Sequence, residues 1–123
     1  MKKGYKELIV WQKSMDLVVE VYCLIKLLPK EEQFALASQM RRAAVSIPSN
    51  IAEGNSRNTT KEYIHFLNIA LGSKAEIETQ IEICKRLGYL SATEKADSLC
   101  AEVRKMLNVI IQKLSPNLRT ARD

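Results

Sequence analysis

The sequence predicts an all-α protein, an antiparallel up-down-up-down four-helix bundle. Three observations carry this expectation. Four segments repeat apolar residues every three or four positions. Turn signals separate them at Pro29, across Gly54–Thr60 and at Gly88. No segment alternates β-branched and polar residues long enough to make a strand. Short turns between long helices make consecutive helices antiparallel neighbours.

The first helix is expected from about Leu8 to Leu28. One apolar stripe holds Trp11, Met15, Val18, Tyr22 and Ile25, and a second holds Leu17, Val21, Leu24 and Leu28. Together they form an arc wider than a narrow seam needs, with Asp16 and Glu20 on the outer face. Pro29, in "LPKEEQ", breaks the helix. The second helix begins near Glu31, with Phe34, Leu36, Ala37, Met40, Ala43 and Ala44 inside. Arg41 and Arg42 are adjacent, so at least one of them faces solvent or a partner.

The third helix opens on "TTKE", where Thr59 and Glu62 have capping-box spacing. Its stripe is Tyr63, Leu67, Ala70, Ile77, Ile81 and Cys84, with Lys74 at the intervening seam position. Gly72 costs about 1 kcal/mol of helix propensity relative to alanine, which suggests close approach of another backbone there. Gly88 ends the helix as a glycine just past the C-cap. The fourth helix opens on "SATE", with Ser91 and Glu94 as a second capping box. It carries Leu99, Val103, Met106, Ile110 and Leu114 inward, and Pro116 is expected to stop it. The chain reads as one domain over residues 1–123, with 1–7 and 116–123 expected to fray.

"RRAAVSIPSNIAEGNSR" resists simple assignment. Pro48 has no backbone N–H and its ring crowds the carbonyl of Ala44. Yet Met40, Ala44, Ile47 and Ile51 keep their spacing through it. The segment reads equally as a helix end, a kink or part of a site.

The totals exclude several classes. Hydrophobic residues make up 46% and charged residues 27%, the balance of a folded globular chain. No apolar run is long enough to span a bilayer, and the start resembles no cleaved leader, so a cytoplasmic location is expected. Cys23, Cys84 and Cys100 have no C-x-x-C spacing and read as buried hydrophobes in a reducing compartment. The single histidine, His65, has no partners at ligand spacing, so neither a metal site nor a cofactor is expected. Glu76, Glu78 and Glu82 are dense but lack the Glu-x-x-His motifs of a di-metal bundle. No phosphate-binding loop and no Ser/His/Asp set is present, so no enzyme is expected. Trp11 reads as a core tryptophan, with Glu53 a candidate acceptor for its indole N–H.

"QMRRAAVSIPSNIAEG" (39–54) and "FLNIALGSKAEIETQIEICKRLGYL" (66–90) strongly resemble the four-helix-bundle family of 23S rRNA intervening-sequence proteins. "LIVWQKSMDL" (8–17) and "KMLNVII" (105–111) extend the likeness over nearly the whole chain. The resemblance implies a ring-like homopentamer, encoded in bacteria within intervening sequences of large-subunit rRNA genes or elsewhere, with no established biochemical role. The family is also similar to the accessory variability protein of diversity-generating retroelements, a basic pentamer that binds a reverse transcriptase and nucleic acid. It carries a proline within its second helix, so a kink at Pro48 is the favoured reading. Ser46, Ser49 and Asn50 lie where freed backbone groups need partners.

Net charge is +5 with a pI of about 9.2, which permits a nucleic-acid or acidic partner. Arg41, Arg42, Arg57, Lys85, Arg86, Arg104 and Lys105 are the candidate contacts to RNA or a partner. Ser49, Asn50 and Glu53 form a polar patch within the family motif. Apart from Asn58 and Tyr89 little is available to read bases, so charge and shape should dominate. The expected function is a non-enzymatic oligomeric scaffold that binds structured RNA or an RNA-associated protein. The alternative is a purely structural oligomer that binds no nucleic acid.

Overall fold

The computed structural model describes the backbone of residues 4–122 and the side chains of residues 4–116. Among the described residues there are four α-helices and no strand: α1 (Ile9–Ile25), α2 (Leu36–Asn55), α3 (Thr60–Arg86) and α4 (Glu94–Arg122). Single 3-10 turns precede α1 (Tyr5–Glu7) and α2 (Lys30–Glu32). Each helix packs against two neighbours, in the cycle α1–α2–α3–α4, and the α2–α3 interface is the most extensive. The core is continuous through all four, from Leu17 and Val21 to Met40, Ile47, Leu67, Ile77, Val103 and Leu107.

Local chemistry sets the ends. Thr59 caps α3: its hydroxyl oxygen accepts from the Glu62 N–H at 3.1 Å and donates to the Glu62 carboxylate at 3.2 Å. Half of the expected capping box is formed: Thr59 caps the Glu62 N–H, while the Glu62 carboxylate meets the Thr59 hydroxyl rather than its backbone N–H. At the far end Gly88 adopts φ +80°, the left-handed region that a side chain disfavours. The Tyr89 N–H reaches the Cys84 carbonyl at 2.8 Å and the Gly88 N–H reaches that of Lys85 at 3.0 Å, the paired bonds of a Schellman cap.

Several expectations need correction. Phe34 is 98% exposed, not internal. The cause is Ala35, whose φ −116°, ψ −100° lies outside the helical region, so the phase of α2 starts at Leu36. Along α1 and the turn that follows it the stripe Leu17, Val21, Leu24 and Leu28 is buried, whereas Met15 and Tyr22 are exposed and Trp11 and Val18 half-buried. Trp11 lies edge-on to Tyr5 at 5.4 Å. Cys23 is exposed, while Cys84 and Cys100 are buried as expected.

Gly54 lies inside the last turn of α2 rather than in a loop, and it marks the close approach assigned to Gly72. A β-carbon on Gly54 would lie 2.8 Å from Phe66 Cβ and 3.1 Å from the Tyr63 carbonyl; one on Gly72 would meet nothing within 4 Å. The α4 cap is Thr93 rather than Ser91. Glu94 is already the first helical residue, and the buried Thr93 hydroxyl donates to the Asp97 carboxylate at 2.9 Å. Pro116 does not stop α4, which continues to Arg122. The fixed φ of proline is itself helical, so the chain loses one hydrogen bond without having to leave the helix.

α2 runs unbroken across Pro48, and Met40, Ala44, Ile47, Pro48 and Ile51 are all buried on one face. The expected continuity of that stripe is met.

Candidate functional site

The motif segment builds two different things on two faces of α2. Its inner face is a polar clasp to α3. Ser46 Oγ and Ser73 Oγ are 2.8 Å apart, and Asn50 Nδ2 donates to both Ser46 Oγ and the Ser46 carbonyl at 2.8 Å. Asn50 thus closes a network beside Pro48, where the helix ladder lacks a donor. At the end of the clasp Gly54 lets Tyr63 and Phe66 come close. Asn50 is therefore tied within the fold, while Ser49 and Glu53 are exposed.

The outer face of α2 forms a shallow seam with α1. Its apolar part is lined by Trp11, Met15, Val18, Val45, Pro48, Ser49 and Ala52. It adjoins, at Val45, a second groove lined by Tyr22, Arg41, Arg42 and Ser46. Arg41 is half-buried and held: Nη1 donates to the Gln33 carbonyl at 3.3 Å and Nη2 to Gln33 Oε1 at 3.0 Å. It fastens the α1–α2 connection to α2. Arg42 is exposed and, among the described residues, has no ion pair or hydrogen-bond partner.

The seven candidate cations are not one patch. Arg41 and Arg42 lie at the α2 end that meets the C-terminal end of α3, since Met40 Sδ and Cys84 Sγ are 3.8 Å apart. Lys85 and Arg86 belong to that same end. Arg86 pairs with Glu82 at 3.1 Å. Arg57 lies at the opposite end, 3.3 Å from Glu53 and 3.9 Å from Glu62, with its guanidinium 4.8 Å from the Phe66 ring centre. Glu53, the acceptor expected for Trp11, is thus occupied by Arg57. Lys105 borders a groove of ≈ 550 Å³ between the start of α1 and α4, lined also by Leu8, Ile9, Met106, Val109 and Lys113. Arg104 and Lys85 are exposed. Of the seven, Arg42, Lys85, Arg104 and Lys105 have neither an ion pair nor a side-chain hydrogen bond among the described residues, while Arg41 bonds only the neutral Gln33.

The buried ionisable groups do not make a reactive centre. Lys74 is 7% exposed and its ammonium contacts Glu78 at 2.7 Å, as its seam position suggested. Burial pushes the nearby Cys100 thiol up to about 12, with Glu78 adding to the effect. Tyr89, considered for base reading, donates to Glu32 at 3.0 Å. His65 is exposed beside Phe66. Among the described residues no three of His, Cys, Asp and Glu converge as metal ligands, and no helix is long and apolar enough to cross a membrane. Sequence reasoning placed Tyr22 on the inner stripe of the first helix, whereas it is exposed and lines the groove beside Arg41 and Arg42. The signal was present: Tyr22 sits on the wide α1 arc, three positions before the buried Ile25, on the side that a second helix covers incompletely.

Fold and surface together define a basic four-helix bundle with a clasped α2–α3 pair and scattered free cations. The chain belongs to the 23S rRNA-intervening sequence protein family, which it matches over residues 6–109. Among solved structures it is similar to a protein of unknown function from the S23 ribosomal protein family of Bacteroides thetaiotaomicron VPI-5482. That similarity is 30% identity over 85% of this chain and 96% of the other, with a TM-score of 0.76. No curated protein matches the sequence.

Proposed function

We propose that this protein is a non-enzymatic, basic, oligomeric scaffold that binds structured RNA or an RNA-associated protein in the cytoplasm. The observation that carries the reading is the set of cations left free by the fold: Arg42, Lys85, Arg104 and Lys105, on a chain of net charge +5. Phosphate contacts need local clusters of cations, and the free cations fall in two separate groups: Arg42 and Lys85 at one end of the α2–α3 pair, and the adjacent Arg104 and Lys105 on α4. The likeness to the accessory variability protein, read from the sequence, supports a homopentamer and makes a reverse transcriptase a candidate partner. A ring would multiply a weak patch into useful avidity. An up-down-up-down order and a bend of α2 at Pro48 belong to the same reading, because a bent α2 shapes the outer seam.

A purely structural oligomer is the competing reading. The internal engagement of Arg41, Arg57 and Arg86 favours it. Two measurements test these readings, and the second separates them. Light scattering should report an oligomer at micromolar concentration; a monomer removes both. Titration of large-subunit rRNA fragments at several salt concentrations should give log affinity falling linearly with log salt. Absence of binding to rRNA, to retroelement RNA and to reverse transcriptase at low salt leaves the structural oligomer as the better account.

A further inference from the structure

We propose that the groove of Tyr22, Arg41, Arg42, Val45 and Ser46 is a subsite for one phosphate–base step of single-stranded RNA. The Tyr22 ring is the stacking platform and the Arg42 guanidinium takes the phosphate. This rests on the reading of the protein as an RNA binder and adds which RNA element is held, and where.

Four observations converge. The groove, ≈ 300 Å³, brings an aromatic ring from α1 and two adjacent arginines from α2 to one place. That is the low end of small-ligand sites, a size that suits one base with its phosphate. Tyr22 is 40% exposed, so its ring is accessible. Arg41 is fixed by two bonds to Gln33, which makes it a positive wall of fixed position; Arg42, with no partner among the described residues, is the arm that can move to a ligand. Val45 continues the floor into the apolar seam toward Trp11, so a second ring has a surface to follow. The grooves that hold Lys105 and Arg86 offer charge without any aromatic ring.

The chemistry distinguishes single strands from duplex. Bases in a helix are stacked on one another and cannot reach a protein ring, whereas unpaired bases stack on exposed aromatics and their phosphates meet nearby arginines. Every base has a π-face, so the subsite tolerates any sequence. Ser46 adds no reading of bases, because its hydroxyl is already shared with Ser73 and Asn50.

The test uses the full-length protein, fluorescently labelled single-stranded oligouridine and oligoadenosine, a short RNA duplex, and anisotropy at several salt concentrations. Tyr22→Ala should weaken single-strand binding roughly tenfold and leave duplex binding unchanged, while Tyr22→Phe keeps wild-type affinity because the ring remains. Arg42→Ala should make the slope of log affinity against log salt shallower by about 0.7, one phosphate contact on a single strand. Ultraviolet cross-linking of oligouridine should label the peptide that contains Tyr22. Circular dichroism confirms that each variant remains helical. Wild-type binding that Tyr22→Ala leaves intact, or that Tyr22→Phe abolishes equally, overturns the subsite and spares the scaffold. No binding of any RNA by the wild-type protein at low salt overturns the subsite together with the RNA-binding reading, and leaves the scaffold only its protein partner.

Discussion

Gly54 and Gly72 should respond to alanine with opposite signs. Both lie inside helices, where alanine is favoured over glycine by about 0.8–1 kcal/mol. At Gly72 nothing lies within 4 Å of a new β-carbon, so the propensity gain stands alone. At Gly54 the new carbon would lie 2.8 Å from Phe66 Cβ and 3.1 Å from the Tyr63 carbonyl, against ordinary contact at 3.4–4 Å. Neither obstacle is the free end of a flexible side chain. Relief requires α2 and α3 to part at their tightest point, and overpacking of this kind costs about 1–3 kcal/mol. The upper end applies here, because α2–α3 is the largest interface in the bundle. Subtracting the propensity gain leaves Gly54→Ala less stable by about 1–2 kcal/mol, and Gly72→Ala more stable by about 0.8–1 kcal/mol. Urea unfolding followed by circular dichroism reads both, at one fixed protein concentration. A Gly54→Ala protein as stable as wild type would refute the close-approach argument. So would a Gly72→Ala protein that lost stability.

Other outcomes follow from the interior. Glu78→Ala strands the Lys74 ammonium and should cost about 1 kcal/mol, held down because Glu78 is partly exposed; Lys74→Met should be neutral or stabilising in the same urea assay. Ser73→Ala removes the partner of Ser46 across α2–α3 and should cost about 1 kcal/mol by the same measure. Of the three cysteines, Cys23 alone should react quickly with a disulfide reagent in the native protein, with Cys84 and Cys100 released only by denaturant. Stability should decline as pH rises above about 9. Unfolded thiols lose protons there, while burial holds the Cys100 thiol protonated up to about 12 and pushes Cys84 and Tyr63 upward too, so the unfolded chain binds fewer protons. Urea midpoints at about pH 8 and about pH 10 should show this fall.

Features set by neighbours in the chain were legible in the sequence, and features set by neighbours in space were less so. The Thr59–Glu62 cap, the Gly88 stop and the seam position of Lys74 each depend on a few adjacent residues, and each was read correctly. Ser91–Glu94 has the same spacing as a capping box, yet Thr93 lies two residues on and is buried, which only packing reveals. Phe34 was placed inside because a periodic pattern cannot register the irregular Ala35 that resets the phase. Gly54 and Gly72 exchanged roles for a related reason. A glycine looks alike anywhere in a string, but Gly54 faces Tyr63 and Phe66, and Gly72 lies off the Ala70–Ile77 stripe. The candidate cations were identifiable, but their bonds were not. Arg41 proved to be a fastener for the preceding connection, so reversing Arg41 and Arg42 together would disturb that connection as well as any ligand. Arg42 alone is the cleaner probe. Tyr22 was placed inside because a helix stripe does not say which side its second helix leaves open.

The Ser46–Ser73 pair has a meaning for how α2 and α3 find their alignment. A seam of alanine, leucine and isoleucine repeats itself, so two such helices could slide by a turn and bury nearly the same area. Hydroxyls break that near-degeneracy. Slid by one turn, Ser73 would lose the Ser46 hydroxyl, Ser46 would keep only its bond from Asn50, and the notch at Gly54 would no longer face Tyr63 and Phe66. Buried hydroxyls without partners cost more than the apolar contacts around them differ. The pair therefore works as an index mark on an otherwise ungraduated scale, and it gives this hairpin one setting among several that greasy contacts alone would accept.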